Sequence, residues 1–479
     1  MSLWNLNGAA VLMEDEGTYT AQAFSVMEGE LAPYTYRYEH PPLGWIQLGA
    51  LAWLPHALGL GDGTYIGATR YAITPFFVAT ALLIYLIARR LDIYRPFAAL
   101  STVVFILSPL SLVFGRQVFL DNVGIPWLLL AFWMTMSPRA ALWHHIWAGA
   151  FFALAVLSKE TLAIFGPALL VALLNRPMWS NRRFSVVGLL AVGGVVISFY
   201  PLMAILSGEL WARSDRVSLQ DALAYHFMDR SGSGSIWDSE SDRFDLLNGW
   251  LYYDEYLVGA GAVAGLICLA QRRTAWIMVA VASFTVPIVA GIGYLPGMYI
   301  IGVLPFLALA IGASLDLLWR WMEKHTIALG APTRLWVQLT AALCIAAGLV
   351  LMAVPQWLEQ NRMILTREAN RDWASTLQWV ANEIPPKDTV LVPAVMWKEL
   401  HADKSSGTWT VVPTEKADLD PQFLIEHPQG ADAIDWIVVG PHTRKSIDSL
   451  DLDMAGEALE NSVPVRTIGD WSVHRVQNE

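Results

Sequence analysis

Two short stretches near the start of the chain hold side chains that could take a proton or grip a charged group. Glu14-Asp15-Glu16-Gly17-Thr18-Tyr19 carries three consecutive carboxylates. Tyr38-Glu39-His40-Pro41-Pro42-Leu43-Gly44 sets a carboxylate beside an imidazole. Neighbouring residues on a helix point different ways, so at most one of Asp15 and Glu16 is expected to be the chemical group. Burial near a bilayer raises a carboxyl pKa and strengthens it as a base, and a nearby cation offsets this. The proline after His40 keeps that residue out of the helical region, so the turn presents the ring rigidly. Each stretch also has a plainer reading. An acidic triplet suits the first turn of a helix, and a loop histidine can simply be solvated.

Further along, Arg116 and Asp121 stand at the entrance to an apolar run, and Lys159 interrupts an apolar hairpin. A snorkelling arginine, a helix cap and an interfacial lysine would explain them structurally. An ionisable group at a membrane edge is equally a functional candidate.

The elements that must position these residues are apolar helices. Of 479 residues, 55% are hydrophobic and 15% charged, against about 25% charged in ordinary soluble domains. The charge deficit falls in residues 1–355, which read as a polytopic membrane domain. Apolar runs at 69–88, 97–114, 120–137, 144–158, 160–175, 184–206, 256–271, 274–292, 297–319 and 335–354 give about ten spans. Residues 44–60 read as an interfacial helix. Arg89, Arg90, Arg95, Arg139, Arg176, Arg182, Arg183, Arg272, Arg273, Arg320, Lys324 and Arg334 fall in alternate loops, which places those loops in the cytoplasm. The first outer loop, 1–68, then faces outward. So do Arg116 to Asp121, Lys159, the loop 207–255 and the tail. That topology gathers Asp15, Glu16, Glu39, His40, Arg116, Asp121 and Lys159 on one side at similar depth. It also leaves the N-terminus outside with no span to carry it there, and a helix preceding residue 1 is expected to do so.

The tail, 356–479, reads as a soluble α/β domain on the same outer side. An amphipathic helix at 366–383 is followed by β-type runs at 389–393, 408–412, 434–439, 464–468 and 471–476. The net charge of −11 and the lack of a basic face exclude a nucleic-acid partner. Cys268 and Cys344 lie in apolar runs and read as small hydrophobes. In the loop 207–255, Trp211, Tyr225, His226 and Trp250 suit sugar stacking as well as an interfacial role.

The order of an acidic pair, Tyr-Glu-His-Pro-Pro-Leu-Gly, Arg116 to Asp121 and Leu157-Ser158-Lys159 resembles the GT-C membrane glycosyltransferases. The nearest resemblance is to their phospholipid-carrier branch of protein O-mannosyltransferases and aminoarabinose transferases. It covers about residues 14–320. The resemblance implies a mainly α polytopic helical bundle in the plasma membrane, with the catalytic acid in the first outer loop. It also implies a polyprenyl-phosphate sugar donor and an extracytoplasmic acceptor: protein, lipid or cell-wall glycan. By position, Asp15 matches the family's catalytic aspartate, with Glu16 orienting substrate or backbone. Glu39 and His40 match the motif facing sugar or acceptor. Arg116 and Lys159 are expected to hold the leaving phosphate, and Asp121 to position Arg116 or help bind a metal. Carboxylate oxygens would suit Mg²⁺ or Mn²⁺, but the chain has no dedicated Asp-x-Asp pair, so metal use stays open. Single displacement with one base implies inversion at C1. The competing classes are a transporter or flippase of a lipid-linked sugar, which would place charges near the midplane, and a non-catalytic scaffold.

Overall fold

Proline, serine and glycine divide the apolar runs into helices. A computed structural model describes residues 3–31, 38–175, 182–327, 331–385, 387–401 and 410–477. Arg176 and positions 408–409 of an expected strand lie outside the described residues. In chain order the helices are α1 (Glu14–Met27), α2 (Leu43–Ala57), α3 (Tyr65–Arg90), α4 (Arg95–Leu107) and α5 (Pro109–Phe114). Then come α6 (Leu120–Thr135), α7 (Leu142–Ser158), a 3₁₀ turn (Glu160–Phe165), α8 (Gly166–Leu174), α9 (Arg182–Ile197) and α10 (Phe199–Leu206). They continue as α11 (Leu219–Ala224), a π turn (Tyr225–Asp229), α12 (Asp242–Cys268), α13 (Ala275–Val289), α14 (Leu304–Thr326) and α15 (Ala331–Thr366).

Among the described residues, Tyr65–Arg90, Arg182–Leu206 and Gly297–Thr326 are long and apolar enough to cross a membrane. Arg95–Leu107, Leu142–Ser158, Glu160–Leu174 and Ala275–Val289 are shorter apolar helices. The run expected at 97–114 is split because Ser108 is extended ahead of Pro109, and its hydroxyl caps the next helix at the Ser111 N–H. The run expected at 256–271 is the second half of α12. That helix breaks at Asp254, which is extended (φ −159°), and the Asp254 carboxylate accepts the N–H of Leu257 at 2.8 Å and the Trp357 indole at 3.0 Å. Asp254 is therefore an internal helix cap. Helix α15 runs unbroken to Thr366, so the boundary expected at 356 falls inside a helix.

The tail holds α16 (Arg371–Glu383), α17 (Ala394–His401), α18 (Thr414–Leu419), α19 (Pro421–Glu426), α20 (Thr443–Leu450) and α21 (Asp453–Glu460). Its strands are β1 (Thr389–Val392), β2 (Thr410–Pro413), β3 (Trp436–Val439), β4 (Ser462–Ile468) and β5 (Trp471–Val476). They form a five-stranded sheet in the order β2-β1-β3-β5-β4. β1 runs parallel to β2 and β3, and β5 antiparallel to β3 and β4. The two-residue alternation of strands gives the sheet two apolar faces. Leu391, Val412, Ile437 and Val439 pack with Ile447 and Ala455. Val390, Val392, Val411 and Val438 pack with Trp373 and Val395, and this second core continues into Leu12, Ala21 and Ile66 of the N-terminal region.

The sheet domain thus sits directly on α1. A Cβ at Gly17 would lie 2.2 Å from the Ala394 carbonyl oxygen, so α1 and α17 touch backbone to backbone there. Polar contacts fix the same junction. The Glu399 carboxylate accepts the N–H groups of Tyr65 and Ile66 at 3.0 and 2.9 Å, capping α3. Lys398 pairs with Glu28 at 2.8 Å. Gly17→Ala forces two backbones apart and is expected to cost about 1–3 kcal/mol. It should lower the thermal unfolding temperature and speed amide exchange in α17, and a wild-type melting curve would contradict this packing.

Candidate active site

Helix α1 brings Asp15, Glu16 and Tyr19 to the site, and it is held by a buried ion pair. Glu16 is fully buried, and Arg70 of α3 is 1% exposed. Arg70 grips the Glu16 carboxylate through Nε at 2.8 Å and Nη2 at 2.7 Å, the two-pronged geometry of strong pairs. The same carboxylate accepts the backbone N–H of Val118 at 2.9 Å and the Gln117 amide at 3.3 Å. Arg70 also donates to the carbonyls of Leu6 and Ala10. Glu16 therefore faces α3 and the Gln117–Val118 backbone, and its neighbour Asp15 points elsewhere.

Asp15 accepts the Tyr19 hydroxyl at 3.2 Å. The spacing of four residues puts both on one helix face. The Tyr19 oxygen lies 3.0 Å from His40 Nε2 and 3.4 Å from Lys159 Nζ. Lys159 Nζ itself lies 3.0 Å from His40 Nε2. On the far side of the ring, His40 Nδ1 lies 3.2 Å from Glu160 Oε2. One connected network therefore runs Asp15, Tyr19, Lys159, His40, Glu160.

Local structure explains the meeting. Helix α7 stops at Ser158, and Lys159 is extended (φ −154°, ψ 112°), which turns its side chain away from the helix axis. A Cβ at Gly44 would lie 2.7 Å from the Ser158 carbonyl oxygen, so only glycine lets the start of α2 close on this helix end. Gln47 ties the same corner, donating to the Ser158 hydroxyl at 2.8 Å and accepting the Trp127 indole at 2.7 Å. On the other side of His40, the Tyr38 hydroxyl donates to Glu209 at 2.8 Å, and Tyr200 donates to the Tyr38 carbonyl at 2.8 Å. His226 of the π turn donates to the Glu39 carbonyl at 3.0 Å and stacks on His40 with ring centres 5.8 Å apart. The second outer loop thus reaches the His-Pro-Pro segment.

Burial pushes the Asp15 carboxyl above its ordinary value, and the Lys159 ammonium draws it part of the way back. Burial opposes the charge on Lys159 too, but Glu160, Tyr299 and Asp121 outweigh it and hold the proton more firmly than usual. Glu39 accepts the Gln22 amide at 3.3 Å. Burial works against its ionisation, yet Lys416 of α18 and other positive neighbours leave its pKa lowered. The sheet domain therefore adds a charge to the surroundings of the site. Lys159 is 2% exposed and also sits 5.7 Å from the ring centres of Tyr19 and Tyr299. Two of its three N–H donors face His40 and Tyr19, and Glu160 Oε1 lies 4.0 Å from the same nitrogen as an ion-pair partner.

The structure thus brings together Asp15, Glu39, His40 and Lys159 of the residues read from sequence. Asp121 is buried, close enough for its charge to act on Lys159, and its Oδ2 has no partner among the described residues. One expectation is corrected. Arg116 does not join Lys159 or Asp121: its guanidinium donates to the carbonyls of Trp4 and Ile364, which fixes the N-terminal segment against α15. Of the two roles expected of Glu16, the contacts are those of the backbone one: its carboxylate accepts the Val118 N–H and is held by Arg70. Tyr19, Glu160 and Arg70 were missed. Tyr19 was signalled by its helical spacing from Asp15, and Glu160 by its place beside Lys159. Among the described residues no group of three or more His, Cys, Asp or Glu is placed to hold a metal ion.

Residues 62–204 match the dolichyl-phosphate-mannose-protein mannosyltransferase family. Among solved structures, ArnT from Cupriavidus metallidurans bound to undecaprenyl phosphate is similar at a TM-score of 0.61 and 14% identity, over 98% of this chain and 95% of that one. The apo oligosaccharyltransferase of Archaeoglobus fulgidus is similar at 0.54 and 12%, over 95% of this chain and 70% of that one. AglB from the same organism, in complex with an inhibitory peptide and a dolichol-phosphate, gives 0.54 and 12%, over 100% and 72%. No curated protein sequence matches the chain. At these identities the likeness is one of fold.

Arg70→Met would leave the Glu16 charge buried without its partner, a loss of about 3–5 kcal/mol in comparable buried pairs. The variant is expected to melt well below wild type, and Glu16→Gln combined with Arg70→Met should recover part of the loss. A single variant as stable as wild type would show that the pair does not anchor α1.

Proposed function

We propose that the chain is an inverting glycosyltransferase that moves one sugar from a polyprenyl-phosphate donor to an extracytoplasmic acceptor. The observation that carries this reading is the placing of a carboxylate with raised pKa, Asp15, beside a desolvated ammonium, Lys159. The first is suited to take a proton and the second to receive a phosphate. The likeness to a carrier-lipid complex of ArnT supports a donor of that class.

In the proposed reaction an acceptor hydroxyl attacks C1 of the sugar. The new C1–O bond forms as the bond from C1 to the phosphate oxygen breaks, and the hydroxyl proton passes to Asp15. Polyprenyl phosphate leaves with the bonding electrons, and its negative charge grows against the ammonium of Lys159, where a fixed cation in a dry site counts most. Single displacement inverts the configuration at C1. Glu39 is close enough to bind a sugar hydroxyl. About ten spans, with the site and the sheet domain on the outer face of the plasma membrane, remain the topology that accommodates this chemistry. The transporter reading is less favoured, because Asp15, Lys159 and their partners lie at helix ends and in loops and not at mid-span.

Asp15→Asn keeps the shape but removes the base, and it is expected to lower transfer by about 10²–10⁴-fold. Membranes given a panel of radiolabelled polyprenyl-phosphate sugars would show this, and transfer at the wild-type rate would remove Asp15 from the reaction. The acid limb of the rate profile reports the same group. Asp15 acts deprotonated, so activity is present above its pKa and lost as pH falls through it. The Tyr19 hydrogen bond lowers that pKa. Tyr19→Phe should therefore move the acid limb to higher pH, and a limb that stays put or moves lower would contradict the assignment.

A further inference from the structure

The connected network also fixes where one proton sits. Lys159 Nζ lies 3.0 Å from His40 Nε2 and is fully able to donate. If Nε2 also carried a hydrogen, two donors, one of them cationic, would face each other at hydrogen-bond distance with no lone pair between them. Nε2 must therefore be the acceptor. Nδ1, 3.2 Å from Glu160 Oε2, then carries the hydrogen and donates it to that carboxylate. Tyr19 is consistent with this, since its hydroxyl, 3.0 Å from Nε2 and 3.2 Å from Asp15, is a second donor within reach of that nitrogen while its oxygen accepts from Lys159. Apart from Lys159 and Tyr19, the groups around the ring are engaged elsewhere. His226 stacks on the ring and gives its Nε2–H to the Glu39 carbonyl, and the Glu39 carboxylate accepts from Gln22.

We infer that His40 is a neutral Nδ1–H imidazole, oriented by Glu160, whose role is to position the Lys159 ammonium. It is a positioning residue and not the proton acceptor of the reaction. The inference deepens the transferase reading and rests on it for the word positioning, but the tautomer follows from the distances together with the proton on Lys159. The arrangement repeats the logic of a carboxylate that fixes an imidazole tautomer in a hydrolase triad, with the partner changed from a hydroxyl to an ammonium. The nearest variant is Glu160→Gln. A glutamine can turn its NH₂ toward Nδ1, which would move the ring hydrogen to Nε2 and set it against Lys159.

The test is imidazole ¹⁵N NMR on the purified full-length protein, with the His40 signal identified by its absence from His40→Gln. Wild type is expected to show an Nδ1–H ring with an unprotonated Nε2. In Glu160→Gln that tautomer should be lost and kcat should fall by about 10²–10⁴-fold, with little change in donor KM or melting temperature, as when a triad carboxylate is replaced by its amide. Glu160→Asp, which keeps the charge, should restore part of both. An imidazolium or an Nε2–H ring in wild type would overturn the inference, as would Glu160→Gln with full kcat. A neutral Nδ1–H ring in a protein that transfers no sugar from any lipid donor would uphold the tautomer and overturn the transferase reading.

Discussion

The buried pair of Glu16 and Arg70 is the contact on which the site depends. Taking two charges out of water is costly, and the cost is met here by two-pronged geometry and by the backbone N–H of Val118. What the pair gives in return is register. It fixes the rotation of α1 about its own axis, and adjacent side chains on a helix diverge by about 100°. With Glu16 turned toward Arg70, Asp15 and Tyr19 must face Lys159 and His40. The sheet domain holds the same helix from its other side, through the close contact at Gly17. Helix α1 is thus clamped between α3 and α17.

The second constraint is desolvation. Lys159 reaches its place because α7 ends at Ser158 and the chain turns extended. A lysine so buried would ordinarily shed its proton. Glu160, Tyr299 and Asp121 prevent this, and the cost of keeping the charge is shared among several groups. Asp15 is pushed the other way by the same dryness. A firmly protonated cation and a carboxylate of raised basicity are thereby linked through one tyrosine hydroxyl.

Much of this was legible in the sequence, and the failures have physical causes. Asp15, His40 and Lys159 could be found because few charges interrupt the apolar runs and the arginine pattern puts these on one side. The helical bundle and the small sheet followed from run lengths and from the change to short β-type segments after residue 383. Arg116 was misread because charge type shows nothing about partner: its guanidinium is spent on the distant carbonyls of Trp4 and Ile364. Glu16 orients backbone, one of its two expected roles, but its partner Arg70 is equally far away in sequence. Arg70 itself is hidden by its position at the start of an apolar run. The boundary at 356 was drawn where charge returns to the sequence, but a helix carries polar residues easily once it leaves an apolar layer, and α15 continues to Thr366.

The central claim is that the ammonium of Lys159 marks the place of the donor phosphate, opposite Asp15. The most direct measurement is a structure of the protein with polyprenyl phosphate bound. A phosphate oxygen within about 3 Å of Lys159 Nζ, on the side facing Asp15, is the expected result. A phosphate seated elsewhere, with Lys159 still bonded only to His40 and Tyr19, would contradict it.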